Sequence, residues 1–520
     1  MPRWFNTAGP CKADIHYMLP PVARLPDLNP LIEQQGYFVI HAPRQTGKTT
    51  AMLALAQQLT DSGRYTAILL SAEVGAGFPH DPPTAERYIL QDWWDIAQGE
   101  LPPELCPPKL ATLYAEFGTN LTLGNALRAW ARMSPRPLAI LIDEIDALED
   151  ETLITVLRQL RAGYPRRPRN FPHSLALIGV RDVRDYKVAS GGDKRLNTAS
   201  PFNIKVRSVT LANFTPQDVA TLYQQHTTAT GQIFTPETTA YAWDLTQGQP
   251  WLVNALAKIM VEELVDNPAV AIAAEHVATA KEILIQRQET HLDSLVGLLR
   301  EPKVQAVFEP MLSGWDLGDV PEDDRQYLCD LGLLRRNPAG GLVIANRIYQ
   351  EVIPRVLANG PQDSLPTISP SWLTPAGTLD PEKLLEAFLR FWRQHGQPLL
   401  QSAPYHEIAP HLVLMAFLHR VVNGGGTLER EYAIGTYRMD LCLCYREVTM
   451  GMELKVWRQG QPDPLQAGLG QIDRYLAGLG LEAGWLVIFD RRPNLLPIAE
   501  RTTTEVAMTA GGRSIVVIRG

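Results

Sequence analysis

Apolar residues in the first half of the chain occur as short runs separated by longer stretches with a helical repeat. Apolar runs of about four to eight residues between helices are typical of parallel strands that are covered on both faces. The segment from residue 37 to about 210 is therefore predicted to be α/β, with one parallel sheet. The predicted strands are Tyr37–His41, Ala67–Ser71, Leu138–Ile142, Leu175–Val180 and Ile204–Leu211.

Helical signals replace the strand pattern between about 215 and 290. Thr215 is a typical N-cap, and Pro216 suits the first turn of the helix that follows. Gly248-Gln249-Pro250 interrupts the segment before a second helix, predicted over 251–265. These features indicate an all-α unit.

A third pattern covers residues 295–357. A helix is predicted over about 321–331, and Gly332 after it suits a left-handed helix cap. Two short strands, 333–336 and 342–345, flank a turn rich in glycine and proline, and a helix begins at Asn346. Helix, hairpin and helix in this order predict a winged-helix domain.

The last third of the chain returns to an α/β pattern. Five prolines between residues 361 and 381 indicate a linker. Beyond residue 400 we predict helices near 408–421 and 465–479, with strands near 427–433, 437–445, 449–457 and 484–489. The predicted segments are 1–36, 37–213 (α/β), 214–294 (helical), 295–357 (winged helix), 358–399 (linker and helix) and 400–520 (second α/β).

Composition narrows the class of protein. A chain of 520 residues is too long for one hydrophobic core, which agrees with several domains. The net charge of −8 excludes a generally basic surface but leaves room for a local basic groove. Five cysteines without a CxxC pair suggest a reducing compartment. No signal peptide or membrane span is recognisable, so we expect a cytoplasmic protein with no membrane contact.

A phosphate-binding loop is predicted directly after the first strand. The pattern GxxxxGK[ST] between a strand and a helix cradles phosphates with backbone N–H groups. Here Lys48 would reach the β and γ phosphates, and Thr49 would bind Mg²⁺. Ala42 replaces the first glycine of the pattern. The predicted nucleotide-contacting residues of the loop are Ala42, Gln45, Thr46, Gly47, Lys48, Thr49 and Thr50.

An acidic pair completes this pattern at the end of the strand Leu138–Ile142. Asp143 at the carboxyl end of a buried strand can hold the Mg²⁺ shell, and Glu144 can polarise the attacking water. Arg181 follows a later strand, where it could sense the γ-phosphate. Arg184 or Arg195 could act as an arginine finger in the nucleotide site of a neighbouring subunit. The alternative interpretation is that both are solvated surface arginines.

Together these segments resemble the AAA-like P-loop ATPases of the STAND and archaeal-type clade. The resemblance rests on the loop, on the Asp143-Glu144 strand and on Gly248-Gln249-Pro250-Trp251-Leu252-Val253-Asn254, and it covers about residues 10–357. It implies ATP and Mg²⁺ as cofactors, with Pro250 opening a lid helix over the nucleotide and a winged helix after the lid. It also implies a homo-oligomer formed through the ATPase domain.

A second set of polar residues lies near the C-terminus. Glu453 and Lys455 are two residues apart on a predicted strand, so they share one face. If the hairpin turns between Arg446 and Glu447, Asp440 lies directly opposite Glu453, with Cβ atoms about 5 Å apart. Two carboxylates at that distance favour a bound divalent cation. Such a site suits metal-assisted phosphodiester hydrolysis.

This arrangement resembles the PD-(D/E)XK nuclease superfamily over about residues 400–495. Gln471 and Tyr475, one helical turn apart, match the QxxxY element of RecB-like members. Glu407 and Glu431 compete for the role of an additional acid. The resemblance implies a restriction-endonuclease-like domain that binds Mg²⁺, with Mn²⁺ as an alternative ion, through Asp440 and Glu453. Its substrate would be nucleic acid, with DNA favoured over RNA.

Other features leave alternatives open. Basic side chains after residue 157 could contact nucleic acid or form a solvated helix end, and Arg335 and Arg336 on the predicted wing pose the same choice. Trp93 and Trp94 fit a helix that faces the core. The basic side chains after residue 157 are Arg158, Arg161, Arg166, Arg167 and Arg169.

We therefore expect an ATP-regulated nuclease, and analogy with such fusions suggests bacterial defence or mobile-element control. The alternative is a STAND-like signalling switch whose C-terminal domain is an inactive binding module.

Overall fold

The structure is a computed structural model of the whole chain. It describes residues 3–180, 204, 206–287, 290–312, 320–337, 340–363, 370–402, 409–422, 426–434 and 437–520. Thirteen strands are assigned within these residues: β1 (Tyr37–His41), β2 (Thr66–Ser71), β3 (Leu138–Asp143), β4 (Ser174–Gly179), β5 (Arg207–Thr210), β6 (Leu334–Arg336), β7 (Leu342–Ile344), β8 (Gly426–Ile434), β9 (Tyr437–Tyr445), β10 (Val448–Trp457), β11 (Ala483–Asp490), β12 (Thr503–Met508) and β13 (Ser514–Arg519).

The helices assigned in the same parts of the chain are α1 (Asn29–Glu33), α2 (Lys48–Asp61), α3 (Pro82–Glu100), α4 (Leu110–Phe117), α5 (Leu123–Met133), α6 (Asp150–Gly163), α7 (Pro216–Thr230), α8 (Pro236–Thr246), α9 (Pro250–Ile259), α10 (Ala274–Arg287), α11 (Thr290–Leu298), α12 (Pro302–Leu312), α13 (Glu322–Asp330), α14 (Arg347–Asp363), α15 (Pro381–Ser402), α16 (Ala409–Val422), α17 (Leu465–Leu479) and α18 (Ile498–Arg501). No helix among the described residues is both long enough and apolar enough to span a bilayer.

The chain divides into two compact units. The first contains Met1–Arg287 and Gln326–Asn346, and the second contains Gln288–Arg325 and Arg347–Gly520. Residues of the predicted winged helix, 295–357, therefore occur in both units: the hairpin β6–β7 belongs to the first and helix α14 to the second. The domain boundaries given above stay predictions.

A five-stranded sheet forms the centre of the first unit. Its order is β2-β3-β4-β1-β5, and all neighbouring strands are parallel, as predicted. Tyr37 and Val39 pack towards α3, α5 and α6, whereas Phe38 and Ile40 pack towards α1 and α2. Because successive strand residues point to opposite faces, helices on both faces require the continuous apolar runs seen in the sequence. Trp93 is buried in the first of these cores.

The residues before β1 also belong to this unit, which the sequence did not indicate. Phe5 and Tyr17 enter an aromatic cluster with Tyr223, His226 and Phe234 of the helical segment, with ring centroids 4.9 to 6.4 Å from Phe5. Burial of these aromatic side chains fixes the N-terminal segment against α7. The predicted helix 251–265 is present as α9 followed by a π-helical turn, Met260–Leu264.

The second unit contains a six-stranded mixed sheet in the order β12-β13-β11-β10-β9-β8. Strands β10, β11 and β13 are parallel, and β8, β9 and β12 run antiparallel to their neighbours. Helix α17 packs on one face of this sheet through Leu469, Ile472 and Leu476. The predicted order of helix, three strands, helix and strand is found here as α16, β8, β9, β10, α17 and β11.

The predicted hairpin register is confirmed. Val448 pairs with Tyr445 and Met452 with Leu441, so the turn is centred between Arg446 and Glu447. Arg446 adopts a positive φ of 53° in this turn.

Candidate functional site

The predicted phosphate-binding loop connects β1 to α2 at the carboxyl edge of the parallel sheet. Gln45 and Gly47 adopt positive φ angles of 58° and 87°, and Lys48 is the first residue of the helix. Positive φ angles turn the backbone so that the loop wraps around the helix N-terminus. The unpaired N–H groups and the dipole of that terminus make it a site for anions such as phosphates.

Lys48 lies folded over this loop. Its Nζ donates hydrogen bonds to the carbonyl oxygens of Ala42 and Pro43, at 2.7 and 2.9 Å. Burial lowers the pKa of the Lys48 ammonium to about 8, and the charge of Asp143 opposes this shift. A half-buried ammonium that is held by neutral carbonyls has an electrostatic preference for an anionic partner such as a phosphate.

Thr49 and Asp143 are brought into direct contact. The Oγ1 of Thr49 donates a hydrogen bond to Oδ2 of Asp143 at 2.7 Å. Asp143 ends β3, is 5% exposed and has a pKa that burial raises. A hydroxyl and a carboxylate in contact beside a phosphate-binding loop are oxygen donors of the kind that Mg²⁺ prefers. The two predicted Mg²⁺ ligands thus fit the ion.

The remaining loop residues support the backbone. Ala42 is buried, and its N–H donates to the Gly179 carbonyl at 3.3 Å. The Oγ1 of Thr46 donates to the Pro43 carbonyl at 2.8 Å. The hydroxyl of Thr50 accepts a hydrogen bond from the Cys11 N–H at 3.0 Å, which ties the N-terminal segment to α2.

Glu144 lies next to a second carboxyl group that the sequence analysis missed. The pKa of Glu144 is raised to about 7, first by burial and then by a hydrogen bond with Glu73 and the charge of that residue. Glu144 also has a positive φ of 53°, a conformation that costs a non-glycine residue energy. Glu73 follows β2 by two residues, and the carboxyl ends of β2 and β3 are neighbours, which was the available signal.

Two further residues contact the loop. The guanidinium of Arg24 donates to the carbonyls of Thr46 at 2.8 Å and Ala212 at 3.0 Å. Gln249, beside the predicted Pro250, brings its Nε2 within 3.4 Å of the Gln45 carbonyl. Pro250 itself is buried in the first turn of α9. Arg24 was missed because nothing in its surrounding sequence marks it.

Five predicted candidates cannot be placed beside these sites. Arg181, Arg184, Arg195 and Glu407 lie outside the described residues, and Glu431 is described only as part of the backbone of β8.

The C-terminal acidic site is assembled on β9 and β10. The paired positions end at Met452 and Leu441, and extending this register by one residue brings Asp440 opposite Glu453. Oδ2 of Asp440 accepts a hydrogen bond from the Leu454 N–H at 2.8 Å, and Oε1 of Glu453 accepts one from the Lys455 Nζ at 2.6 Å. Glu453 is only 2% exposed. The predicted acid, acid and lysine therefore occupy one locality.

The electrostatics of this site are unfavourable for the carboxylates. Burial, followed by the charge of Asp440, raises the pKa of Glu453 to about 7, and the partnership with Lys455 opposes the shift. The charges of Glu453 and Asp440, after burial, also raise the pKa of Tyr475 on α17. In the described structure, Oε2 of Glu453 and Oε1 of Gln471 are buried without a hydrogen-bond partner.

The residues present fit a divalent cation. A buried carboxylate oxygen without a partner is costly unless a cation or water satisfies it. The described residues contain no group of three His, Cys, Asp or Glu side chains placed to hold a metal. Mg²⁺ nevertheless suits such a site, because it commonly binds through one or two carboxylates and completes its shell with water and phosphate.

Neither a family model nor a curated protein matches the chain. Several solved structures are similar to part of it. A Walker-type ATPase of Pyrococcus abyssi is 13% identical, with a TM-score of 0.45, and the alignment covers 66% of this chain and 98% of that one. The RuvB Holliday junction branch migration motor of Thermotoga maritima has 15% identity and a TM-score of 0.33, covering 62% and 90%. Cdc6p from Pyrobaculum aerophilum has 14% identity and a TM-score of 0.33, covering 62% and 88%. At TM-scores below 0.5, the inference of function rests on the geometry of the two sites.

Proposed function

We propose that the first unit binds ATP with Mg²⁺ and hydrolyses it. The observation that carries this proposal is the hydrogen bond of 2.7 Å between the Thr49 hydroxyl and the Asp143 carboxylate. It lies next to a phosphate-binding loop whose Lys48 ammonium is hydrogen-bonded to the loop carbonyl of Ala42. Bound Mg²⁺ would neutralise charge that develops on the phosphates. The helix N-terminus and Lys48 bind and orient the phosphates, while Glu144, with its pKa near 7, can accept a proton from the attacking water.

The test of this proposal is nucleotide hydrolysis by matched variants. Lys48→Ala removes the ammonium that lies over the loop and is expected to lower the ATPase rate at least about 100-fold, the scale of a lost electrostatic contact in a transition state. Lys109→Ala removes an exposed lysine directly before α4 and serves as the control. Equal rates for the two variants, or no magnesium-dependent hydrolysis by the wild type, would refute the proposal.

We propose as a second function that the C-terminal sheet cleaves nucleic acid with Mg²⁺ or Mn²⁺. The specific observation is the buried, unpaired Oε2 of Glu453 beside Asp440 and Lys455. Asp440 and Glu453 would hold the metal, which supplies an activated water and stabilises phosphate charge. Lys455 would orient that water or stabilise the phosphorane charge, and Gln471 and Tyr475 would complete the wall of the site.

Cleavage assays separate this proposal from the alternative of a signalling switch. Plasmid, linear and single-stranded DNA and RNA are incubated with Mg²⁺ or Mn²⁺, with and without ATP. Glu453→Gln is expected to abolish cleavage and leave ATP hydrolysis unchanged, whereas Glu447→Gln, exposed in the turn of the same hairpin, is expected to retain both. A wild type that cleaves none of these substrates would support the switch.

The remaining elements of the proposal concern regulation, assembly and location. ATP binding would gate the C-terminal site, the first unit would assemble into a homo-oligomer, and the protein would act in the cytoplasm. Loss of cleavage in both Lys48→Ala and Glu453→Gln would indicate gating, because Lys48 is then required for chemistry at a site it does not belong to. Loss in Glu453→Gln alone would show that cleavage is independent of ATP.

A further inference from the structure

A group of arginines without acidic neighbours in sequence covers part of the first unit. Residues 117–142 and 152–180 contain eight arginines and no aspartate or glutamate, in a chain whose net charge is −8. Helices α5 and α6 carry four of them and pack side by side, joined by a hydrogen bond of 2.7 Å from the Gly124 N–H to Oε1 of Gln159. The positive charge is therefore concentrated on one local surface.

Two of the eight arginines donate hydrogen bonds to backbone carbonyls and can be set apart. Arg167 stacks over the ring of Tyr164 at 3.4 Å and donates to the carbonyls of Tyr164 and Gln35. Arg136 donates to the Thr60 carbonyl at 3.2 Å. The other six form what we call the arginine surface: Arg128, Arg132, Arg158, Arg161, Arg166 and Arg169.

The arginine surface is exposed and its charges are close together. All of its members except the half-buried Arg128 are exposed. Nε of Arg132 donates a hydrogen bond to Oδ1 of Asn170 at 2.7 Å, which places α5 beside the segment that carries Arg166 and Arg169. The pKa of Arg128 is lowered by burial and then by the charges of Arg166 and Arg132. The Nε of Arg128 is buried without a hydrogen-bond partner in the described structure. Within the described ranges no ion pair joins any of the six to a carboxylate.

A cluster of like charges without ion-pair partners destabilises the free protein and favours an anionic partner. Guanidinium groups match phosphates because their planar fork donates two parallel hydrogen bonds. Arg128 and Arg132 are one helical turn apart, as are Arg158 and Arg161, so they present pairs of charges about 5 to 6 Å apart along each helix. We propose that the arginine surface binds the phosphate backbone of a nucleic acid.

The position of this surface leaves the nucleotide site free. Helices α5 and α6 end just before β3 and β4 begin, so their C-terminal residues lie at the amino edge of the parallel sheet. The phosphate-binding loop lies at the opposite, carboxyl edge. Nucleic acid and ATP can therefore bind this unit at the same time. The proposal does not depend on the C-terminal nuclease, since an ATPase that acts on nucleic acid without cleaving it could also use this surface.

The test is the salt dependence of nucleic-acid binding by the full chain. Arg158→Gln, Arg161→Gln and Arg166→Gln are combined in one variant, and fluorescence anisotropy with a 30-base-pair DNA duplex is measured in EDTA to prevent cleavage. Each phosphate contact contributes about 0.9 to the slope of log K against log salt, so the variant is expected to lose about 3 from that slope. Affinity at low salt should fall at least about tenfold.

A control variant removes the same charge elsewhere. Arg87→Gln, Arg207→Gln and Arg300→Gln combine three exposed arginines that are not members of the arginine surface, and this variant is expected to keep the wild-type slope. Equal slopes for the two triple variants would overturn the proposal, as would a wild type that does not bind the duplex. Loss of binding to phosphatidylglycerol vesicles with unchanged DNA binding would also overturn it, because the surface would then serve a membrane. ATP hydrolysis without nucleic acid tests the P-loop separately, so the two failures are distinguishable.

Discussion

The buried carboxylate of Glu453 makes the stability of the C-terminal sheet depend on pH. Its pKa is raised from 4.5 to about 7 by burial and by Asp440. The folded state therefore binds a proton that the unfolded chain releases, so the stability contribution is complete below pH 4.5 and is lost as pH rises through 7. One pKa unit corresponds to about 1.4 kcal/mol, so the total loss is about 3 kcal/mol, most of it between pH 5 and pH 8.

The substitution Glu453→Gln removes this titration and keeps the shape of the side chain. In metal-free buffer, the wild type is expected to lose about 2 to 3 kcal/mol more stability than the variant between pH 5 and pH 8. Unfolding of a two-unit chain is not a single transition. Urea denaturation is therefore followed by hydrogen-exchange mass spectrometry on the β10 peptide, with Glu447→Gln as the control.

Magnesium provides a second arm of the same experiment. A cation between the carboxylates removes the cost of their charge, so Mg²⁺ should stabilise the wild type at pH 8 and leave Glu453→Gln unchanged. The reasoning is refuted if both proteins show the same difference between pH 5 and pH 8. A magnesium effect of equal size in the variant would refute the metal assignment alone.

Two further predictions concern the first unit. The ATPase rate at saturating ATP should rise as pH increases through about 7, because Glu144 must lose its proton to act as a base. Glu73→Gln should move the inflection of this pH profile to lower pH. An inflection at the wild-type pH would show that Glu73 does not influence the catalytic base. Gly248→Ala should destabilise this unit by at least about 3 kcal/mol in urea denaturation, because a Cβ would lie 1.8 Å from the carbonyl oxygen of Phe214 at a φ of 71°. Gly231→Ala, with a φ of 82° and open space around it, should cost only about 1 kcal/mol.

Regulation between the two proposed activities would require a continuous physical connection. The hairpin β6–β7 belongs to the first unit and leads directly into α14 of the second. A Cβ at Gly332, which precedes this hairpin, would lie 2.5 Å from Cγ of Pro43 in the phosphate-binding loop. The backbone at Gly332 is thus packed tightly against the loop. A movement of the loop on binding phosphate would therefore displace the backbone at the start of the hairpin.

Local patterns in the sequence determined the elements and several of their relationships. Continuous apolar runs predicted β1 to β4 within one or two residues, because strands covered on both faces have no polar positions. The loop at Lys48 was recognisable because its spacing is set by the backbone turn that cradles phosphate. Even the hairpin register that brings Asp440 near Glu453 was predictable, since a short hairpin turn fixes the register of the strands that it joins.

Tertiary structure alone decided which distant residues meet. Arg24 and Glu73 enter the nucleotide site from outside the recognised motif, and no local pattern encodes contacts between separate segments. Glu453 is buried in the folded unit, where α17 packs against β10, so neither its raised pKa nor its unpaired oxygen could be inferred from the strand pattern. The arginine surface likewise needs α5 and α6 side by side, because charge density depends on distances between helices that sequence spacing does not specify.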